Sequence, residues 1–390
     1  MPRRLLALLL SVYYVCSVVH AAELFDKPNL AAWCIVPFDK AKRTPEARAE
    51  MVAKMGLKKI AYDWRPEHVA EFEREILAYQ KNGIEMFAFW GSHDEAFRLF
   101  EKYKLHPQLW IMMKGTGDTQ EAQVKSAAEG LLPMLAKAKK VGSSVGSYNH
   151  GGWGGEPENM IAVCEFLKKN HGTDNIGIVY NLHHGHSHLD RLPKALAAMQ
   201  PWLLCLNLNG MDIAGDTKGR KILPLGVGTQ DVTVLRQVRA SGYSGPIGIL
   251  NHTNEDAEGR LLDNLDGLKW LVPQLDDAKP GAKPVYRTWS EKAESLKSQV
   301  PSSKSASTTP SMNKEFGKAL KGGWMVDGDA EYSKLPFTVE CRARLDGKNG
   351  FNILVASEMK ASATHWELYT MAKSGTPALY MPGRGGNYDT

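Results

Sequence analysis

The stretch IGIVYNLHHGHSHLDRLPKALAAMQPWLLCLNLNGMD, residues 176–212, contains one complete strand–helix–strand unit. Residues 176–180 form an apolar run with the length of a buried parallel strand, and residues 203–208 form a second. Between them, residues 189–199 carry apolar side chains at the spacing of an amphipathic helix. Strands that alternate with helices in this way are typical of α/β folds with a parallel sheet.

The same alternation extends in both directions through eight strand–helix units. Apolar runs occupy residues 32–36, 59–62, 86–90, 108–112, 144–148, 176–180, 203–208 and 246–250. Segments with helical spacing occupy residues 45–55, 67–81, 93–104, 119–140, 157–170, 189–199, 232–241 and 254–271. Eight units in about 245 residues are the usual size of a (β/α)8 (TIM) barrel, whose site lies at the carboxyl ends of the strands. A doubly wound open sheet is the alternative, but no Gly-x-Gly-x-x-Gly motif follows the first strand.

The amino terminus has the features of a secretory signal peptide, which we assign to residues 1–22. Arg3 and Arg4 precede an apolar run over residues 5–19, and the small residues Ala21 and Ala22 offer a cleavage site. A short membrane anchor is the alternative, but the run falls short of the ~20 apolar residues that a membrane span needs. We therefore expect an exported protein (periplasmic, cell-surface or secreted) with no membrane span after cleavage.

The rest of the chain divides into a barrel over residues 23–288, a linker over 289–313 and a β module over 314–390. The linker includes the Ser/Thr/Pro-rich run PSSKSASTTP at residues 301–310. In the β module, residues 337–345 alternate like a strand with one solvated face. Further strand patterns occupy residues 352–357, 366–371 and 377–381. These strands are too few for a complete sandwich, so we expect a partial module.

Charge and cysteine content restrict the function classes. The net charge is +5 with basic residues spread along the chain, which argues against a nucleic-acid partner because such binding needs clustered Lys and Arg. Once Cys16 has left with the signal peptide, the remaining cysteines are Cys34, Cys164, Cys205 and Cys341. Their wide spacing within apolar runs predicts buried free thiols, and no Cys-x-x-Cys pair indicates zinc. No motif indicates a nucleotide cofactor, and the sequence leaves the oligomeric state open.

Polar and aromatic side chains concentrate after the apolar runs, where a barrel carries its chemistry. Six of the twelve histidines follow strands five, six and eight, namely His150, His183, His184, His186, His188 and His252. Because the carboxyl ends of barrel strands surround one mouth, we expect these side chains to converge. The candidate catalytic residues are Asp63, His150, Glu156 and His186. The candidate substrate-binding residues are Trp64, Trp90, Tyr148, Asn149, Asn181, Asn209, Asp212 and His252.

Several candidates also have a purely structural explanation. Imidazole suits acid–base or metal chemistry, but His188 could instead cap the next helix. Glu156 is equally explained as a helix N-terminal charge before Pro157. The tryptophans at 64, 90 and 153 are either core residues or flat platforms for sugar rings.

Residues 148–253 resemble the xylose isomerase-like barrels, the sugar phosphate isomerase/epimerase group related to endonuclease IV. The resemblance lies in HHGH at 183–186, LGVGTQD at 225–231 and GYSGPI at 242–247. It implies a carbohydrate substrate and one divalent metal held by Glu, Asp, His and Glu. It also implies that the two glutamates move a proton beside a sugar carbonyl. His186 matches the family's strand-six histidine.

At the other positions the chain departs from the family pattern. Tyr148, His183 and Asn207 stand where the resemblance expects Glu, Asp and His, and Leu250 or Asn251 replaces the last Glu. Without the paired carboxylates, the groups that would exchange the proton are missing, and a hard-metal site is weakened. A histidine-rich set of His150, His183 and His186 remains as candidate metal ligands. The expected cofactor is therefore at most one divalent metal, zinc or manganese.

The carboxyl-terminal sequence resembles a laminin-G/concanavalin-like sandwich, in LPFTVEC at 335–341 and WELY at 366–369. Such modules often bind glycans. Together the two resemblances predict an exported sugar-processing enzyme of the isomerase or lyase class, with proton transfer next to a sugar carbonyl. The alternative is a non-catalytic carbohydrate-binding barrel that has lost the family's metal site. Nuclease activity is disfavoured, because that chemistry uses a three-metal site rich in carboxylates.

Overall fold

The computed structural model describes residues 24–290, 350, 352–357, 366–374, 376–380 and 387–389. The chain divides into two compact units, Met1–Ser290 and Glu291–Thr390. The signal peptide, assigned to residues 1–22, and nearly all of the linker at 289–313 lie outside the described residues, so both assignments stay predictions. Within the described residues, no helix combines the length and the hydrophobicity needed to cross a membrane.

The first unit is a closed barrel of eight parallel strands in chain order, in which the last strand pairs with the first. The strands are β1 (Leu30–Trp33), β2 (Lys59–Tyr62), β3 (Glu85–Trp90), β4 (Gln108–Ile111), β5 (Val145–Tyr148), β6 (Ile176–Asn181), β7 (Leu203–Leu208) and β8 (Ile247–Leu250). The helices are α1 (Pro45–Lys54), α2 (Phe72–Lys81), α3 (Asp94–Tyr103), α4 (Gln120–Lys140), α5 (Pro157–His171), α6 (Leu192–Met199), α7 (Asp231–Ala240) and α8 (Ala257–Leu271). This topology confirms the predicted (β/α)8 barrel.

The ends of these elements follow local sequence signals. Thr44 caps α1 by accepting a hydrogen bond from the backbone N–H of Ala47 at 3.3 Å, and α5 ends at Gly172 with a φ of 60°. The first strand was predicted at 32–36 but ends at Trp33, because Cys34 adopts a φ of 61° that cannot continue an extended strand. The helix predicted at 67–81 begins as a 3-10 turn over Pro66–Glu71 and becomes α-helical only at Phe72.

Two apolar layers hold the barrel together. Since successive side chains on a strand point to opposite faces, alternate residues fill the interior and the others face the helices. The interior cluster is rich in aromatic rings and consists of Ala31, Trp33, Cys34, Ala61, Phe87, Ala88, Trp110, Tyr148, Val179, Cys205 and Leu250. Cys34, Cys164 and Cys205 are buried free thiols, which confirms the prediction for the described cysteines, while Cys341 lies outside them.

The second unit contains a four-stranded antiparallel sheet in the order β12-β11-β10-β9. Its strands are β9 (Asn352–Ser357), β10 (Trp366–Thr370), β11 (Pro377–Tyr380) and β12 (Asn387–Asp389). The strand patterns at 352–357, 366–371 and 377–381 therefore correspond to strands, and the pattern at 337–345 lies outside the described residues. The laminin-G-like identity of this unit stays a prediction.

Candidate functional site

Three aromatic residues form a floor at the carboxyl end of the barrel. Trp33, Trp90 and Tyr148 are the last residues of β1, β3 and β5, and inward side chains of alternate strands share a layer in such barrels. The ring of Tyr148 lies 4.6 Å from Trp90 and 6.2 Å from Trp33, between centroids. Trp33 and Tyr148 are buried, whereas Trp90 is half-buried. We call these three residues the aromatic floor.

Four histidines meet above this floor. His150 follows β5, His183 and His184 follow β6, and His252 follows β8. The ring of His184 lies 4.3 Å from that of His150 and 3.8 Å from that of His183, and the His183 and His252 rings are 6.0 Å apart. The rings of His150 and His184 also lie 6.3 and 6.2 Å from Tyr148. The loops after three strands thus bring these side chains together, and we call them the histidine cluster.

The histidine cluster is uncharged at neutral pH. Burial, together with His150 and Lys221, lowers the pKa of His184 to about 3. Burial, together with Arg65 and Lys221, lowers the pKa of His252 to about 4. The pKa of His183 falls well below its ordinary value, mainly through burial, and the pKa of His150 is also lowered by burial. A neutral imidazole has one donor and one acceptor nitrogen, so the cluster offers hydrogen bonds of both kinds.

Several buried polar atoms near the cluster have no hydrogen-bond partner in the protein. Both ring nitrogens of His183 are in this position, although the residue is only 2% exposed. The others at the ends of β6, β7 and β8 are Asn181 Oδ1, Asn207 Nδ2, Asn209 Oδ1 and both amide atoms of Asn251. A buried polar atom without a partner loses about 1–3 kcal/mol, so a concentration of such atoms marks a place where a polar ligand or water would pair them.

Asp63 is a buried carboxyl group directly after β2. It is 2% exposed; its Oδ1 accepts a 3.3 Å hydrogen bond from the Val36 backbone N–H, and its Oδ2 has no partner. Burial raises the pKa of Asp63 to about 7, against the opposing effects of Arg65 and of this hydrogen bond. A carboxyl group with such a pKa can both take and give a proton near neutral pH.

His186, a candidate for catalysis and for metal binding, is engaged elsewhere. Its Nδ1 lies 3.3 Å from the carbonyl of Asp212, and its Nε2 lies 2.9 Å from that of Lys221. Both carbonyls belong to the loop after β7. Because its nitrogens face backbone carbonyls, the ring anchors that loop and does not present a nitrogen to the mouth.

Glu156 lies in an ion-pair network outside the mouth. Its Oε2 accepts a hydrogen bond from Arg191 at 2.5 Å, and its Oε1 lies 3.4 Å from Nε2 of His188. Nδ1 of His188 is in turn 2.8 Å from the hydroxyl of Tyr180, whose ring faces the helices. Glu156 and His188 therefore fasten the loop after β6 to the start of α5. Both side chains thus have structural roles, although His188 does not cap the next helix and the carboxylate of Glu156 forms no capping hydrogen bond.

Three other candidates have polar groups that bind the protein itself. Trp64 donates its indole N–H to the carbonyl of Trp90 at 2.7 Å and packs against the layer that faces the helices. The amide of Asn149 pairs with the backbone and side chain of Asn181. Asp212 accepts hydrogen bonds from Thr229 and, at 2.6 Å, from Arg220. These residues support the walls of the mouth.

The histidine-rich metal set predicted from the sequence does not fit this geometry. Among the described residues, no three His, Cys, Asp or Glu side chains are arranged to hold a metal ion. His150 and His183 belong to the cluster, but His186, the third candidate ligand, points its nitrogens at backbone carbonyls. We derive no chemical step through a metal.

Three residues of the mouth were not singled out from the sequence. Trp33 lies in the aromatic floor, and the ring of Phe38 lies 3.9 Å from that of His252. Lys221 lies in the loop after β7, where its carbonyl accepts hydrogen bonds from His186 and Asn209. Trp33 lies inside the first predicted apolar run, 32–36, and the layer rule for alternate strands identifies it only once the strand is known to end there. Phe38 and Lys221 lie in loops whose paths no local pattern predicts.

Comparison with known proteins gives similarities to solved structures only. No protein-family model matches the chain, and no curated protein matches it by sequence. A 3-keto-D-glucoside 4-epimerase from E. coli is 14% identical, with 63% of this chain and 99% of that chain covered and a TM-score of 0.47. The IolI protein with a bound zinc atom is 13% identical, with 63% and 99% covered and a TM-score of 0.46. A xylose isomerase domain protein from Planctomyces limnophilus is 13% identical, with 65% and 100% covered and a TM-score of 0.46. The barrel fold of this chain is established by its strand order and not by these similarities.

Proposed function

We propose that the barrel mouth binds a carbohydrate and that Asp63 transfers a proton next to the carbonyl of that sugar. The observation that carries the proposal is the neutral histidine cluster, which converges from three loops over the aromatic floor. Aromatic rings offer flat apolar faces to the C–H side of a sugar ring. Neutral imidazoles and amides donate and accept hydrogen bonds, as sugar hydroxyl groups require.

The half-buried residues define where the sugar lies. Trp90, His184 and His252 are half-buried and His150 is exposed, so these rings are within reach of a ligand, with Tyr148 below them. Asn181 and Asn209 each retain an unpaired amide oxygen at the neighbouring strand ends. We propose Trp90 as the stacking residue and the cluster with these amides as the groups that hold the hydroxyls.

The proposed reaction needs one group that exchanges a proton and one that supports the carbonyl oxygen. The ionised Asp63 takes a proton from the carbon next to the carbonyl, so a C–H bond breaks and an O–H bond forms. The electron pair left on carbon forms a C=C bond, and the carbonyl pair moves to oxygen. A neutral imidazole N–H of His184 or His252 hydrogen-bonds that oxygen, a role for which a depressed imidazole pKa is suited. Asp63 then delivers the proton to the former carbonyl carbon, while the neighbouring hydroxyl gives its proton to the enolate oxygen and becomes the new carbonyl, which completes an isomerisation.

The alternative, a barrel that binds sugar without turnover, is favoured by the burial of Asp63, which is only 2% exposed. The variant Asp63→Asn distinguishes the proposed enzyme from the barrel that only binds sugar. We expect the native chain to exchange the carbon-bound proton of a ketose, an aldose or an oxidised sugar with D2O, as followed by proton NMR. Asp63→Asn should lower that exchange at least 100-fold and leave binding within about threefold. The matched control is Asp118→Asn, which removes an exposed carboxylate after β4.

The outcomes distinguish three cases. Exchange that depends on Asp63 supports the proposed enzyme. If the native chain binds sugars but exchanges no carbon-bound proton, the protein is the non-catalytic binding barrel. If the native chain binds no ketose, aldose or oxidised sugar, both the enzyme and the binding barrel are ruled out.

Two further parts of the proposal rest on sequence patterns. We propose that the chain is exported, because Arg3, Arg4 and the apolar run at 5–19 have the order of a signal peptide. Amino-terminal sequencing of secreted material should start at residue 22 or 23. We also propose that the second unit is a laminin-G-like module that binds glycans, which the antiparallel order of β9–β12 supports. Retention of the full chain on a glycan array, compared with a chain ending at Ser290, would test it.

A further inference from the structure

Two cationic side chains flank the histidine cluster. Arg65 follows β2, and its guanidinium carbon lies 5.3 Å from the ring centroid of Phe38, whose ring contacts His252. Lys221 follows β7 and is exposed, and the next residue, Ile222, packs against the interior cluster of the barrel. Arg65 and Lys221 are also the two strongest charges acting on His252. The imidazole of His252 therefore lies in the field of both cations.

Neither cation forms an ion pair with a carboxylate among the described residues, although Arg65 lies near enough to Asp63 to lower its pKa. Among the described residues, nine arginines form ion pairs with Asp or Glu, namely Arg43, Arg48, Arg74, Arg98, Arg191, Arg220, Arg236, Arg239 and Arg287. Arg65 has no such pair in that part of the chain, and its Nη1 donates only to its neighbour's carbonyl, that of Trp64, at 2.7 Å. Lys221 has no carboxylate within ion-pair distance there either. Arg65, which is half-buried and stacks on a ring, thus differs from the nine arginines with an ion pair.

We propose that Arg65 and Lys221 bind the anionic group of an acidic sugar, a carboxylate or a phosphate, beside His252. This inference rests on the proposed function, because it takes the mouth to be the carbohydrate site. A guanidinium presents parallel N–H donors to two oxygens of such a group, and an ammonium adds a point charge. The neutral His252 contributes a further N–H donor without adding charge.

The same charges select against other sugars. A neutral sugar leaves both cations without a counter-ion, so it gains only the stacking and the hydroxyl hydrogen bonds. An amino sugar places a third positive charge beside Arg65 and Lys221 and is repelled. The expected order of affinity is therefore acidic sugar, then neutral sugar, then amino sugar.

Titration calorimetry on the full chain with glucuronate, glucose 6-phosphate, glucose and glucosamine tests this order. We expect at least one of the two acidic sugars to bind at least tenfold more tightly than glucose, and glucosamine to bind more weakly than glucose. Which acidic sugar binds more tightly identifies the anionic group as carboxylate or phosphate. The preference for acidic sugars should decrease as ionic strength rises.

The matched variants are Arg65→Gln, Lys221→Gln and the control Lys169→Gln, which removes an exposed charge from α5. Each of the first two should lower the preference for acidic sugars about tenfold, and the control should not. Because Lys221 is exposed, Lys221→Gln is expected to fold normally. Circular dichroism checks that Arg65→Gln is also folded. Equal binding of acidic and neutral sugars by the native chain, or an unchanged preference in both variants, overturns the inference. In that event, sugar binding that still depends on Trp90 would leave the proposed carbohydrate site standing.

Discussion

The imidazole rings of His150 and His184 lie 4.3 Å apart, although the two residues belong to loops that follow different strands, β5 and β6. Two imidazolium ions at that separation would repel each other, and burial adds a penalty for charging either ring. The contact therefore disfavours charge on both rings at once. It makes the barrel mouth a hydrogen-bonding surface at neutral pH and a source of instability in acid.

We expect the buried histidines of the cluster to destabilise the folded barrel as the pH falls below about 6.5. The pKa values of His184 and His252 are lowered to about 3 and about 4, whereas unfolded histidine titrates near 6.5. A depressed histidine pKa means that the unfolded chain binds protons first. The stability that each histidine contributes above pH 6.5 is therefore lost on the way down to about pH 3 for His184 and about pH 4 for His252. For His184 the loss is up to about 2 kcal/mol at pH 5, since one pKa unit corresponds to about 1.4 kcal/mol.

Urea unfolding of the native chain and of His184→Gln at pH 7 and pH 5 tests the predicted loss of stability from His184. The variant should lose less stability between the two pH values, because Gln does not titrate. His171→Gln, at the exposed end of α5, is the control and should behave like the native chain. Parallel pH dependence of the native chain and His184→Gln would show that His184 does not titrate as proposed.

Asp63 should make the stability of the barrel depend on pH in the opposite direction. Its pKa is raised to about 7, so between pH 4 and 7 the unfolded carboxyl ionises while the folded one keeps its proton. Stability is complete below pH 4, decreases through this window and levels off above pH 7. Asp63→Asn removes the titration and should be more stable than the native chain at pH 8, by a few kcal/mol, but close to it at pH 4. Thermal unfolding at both pH values measures the difference, and Asp118→Asn should show none.

Trp90 should contribute to sugar binding through its ring. Trp90→Ala removes the half-buried face of the aromatic floor, and we expect affinity for the bound sugar to fall about tenfold, equivalent to about 1.4 kcal/mol. Trp90→Phe keeps a ring and should recover most of the affinity. Trp202→Ala, at the opposite end of the barrel before β7, is the control and should bind normally. Equal affinity of Trp90→Ala and the native chain would contradict the stacking role.

The order of the barrel could be predicted from the sequence because the signals are local. A run such as 176–180 has the length of a buried strand, and a segment such as 189–199 has helical spacing, whatever surrounds them. The strand ends follow from the same signals, so His150, His183 and His252 could be placed at the carboxyl end of the barrel before any coordinates. The end of the first strand differs from its predicted position. It lies at Trp33 because Cys34 has a left-handed backbone conformation, which no periodicity reveals.

Which histidine faces the mouth was decided only by the tertiary structure. His184 and His186 are two residues apart in the same loop, and nothing in their local sequence separates them. His186 points at carbonyls 26 and 35 residues further along the chain, whereas His184 turns to His150 in the neighbouring loop after β5. The pKa of Asp63 and the pairing of Glu156 depend in the same way on distant neighbours. Such contacts are fixed by how complete loops pack against one another, and a strand or helix pattern carries no information about that packing.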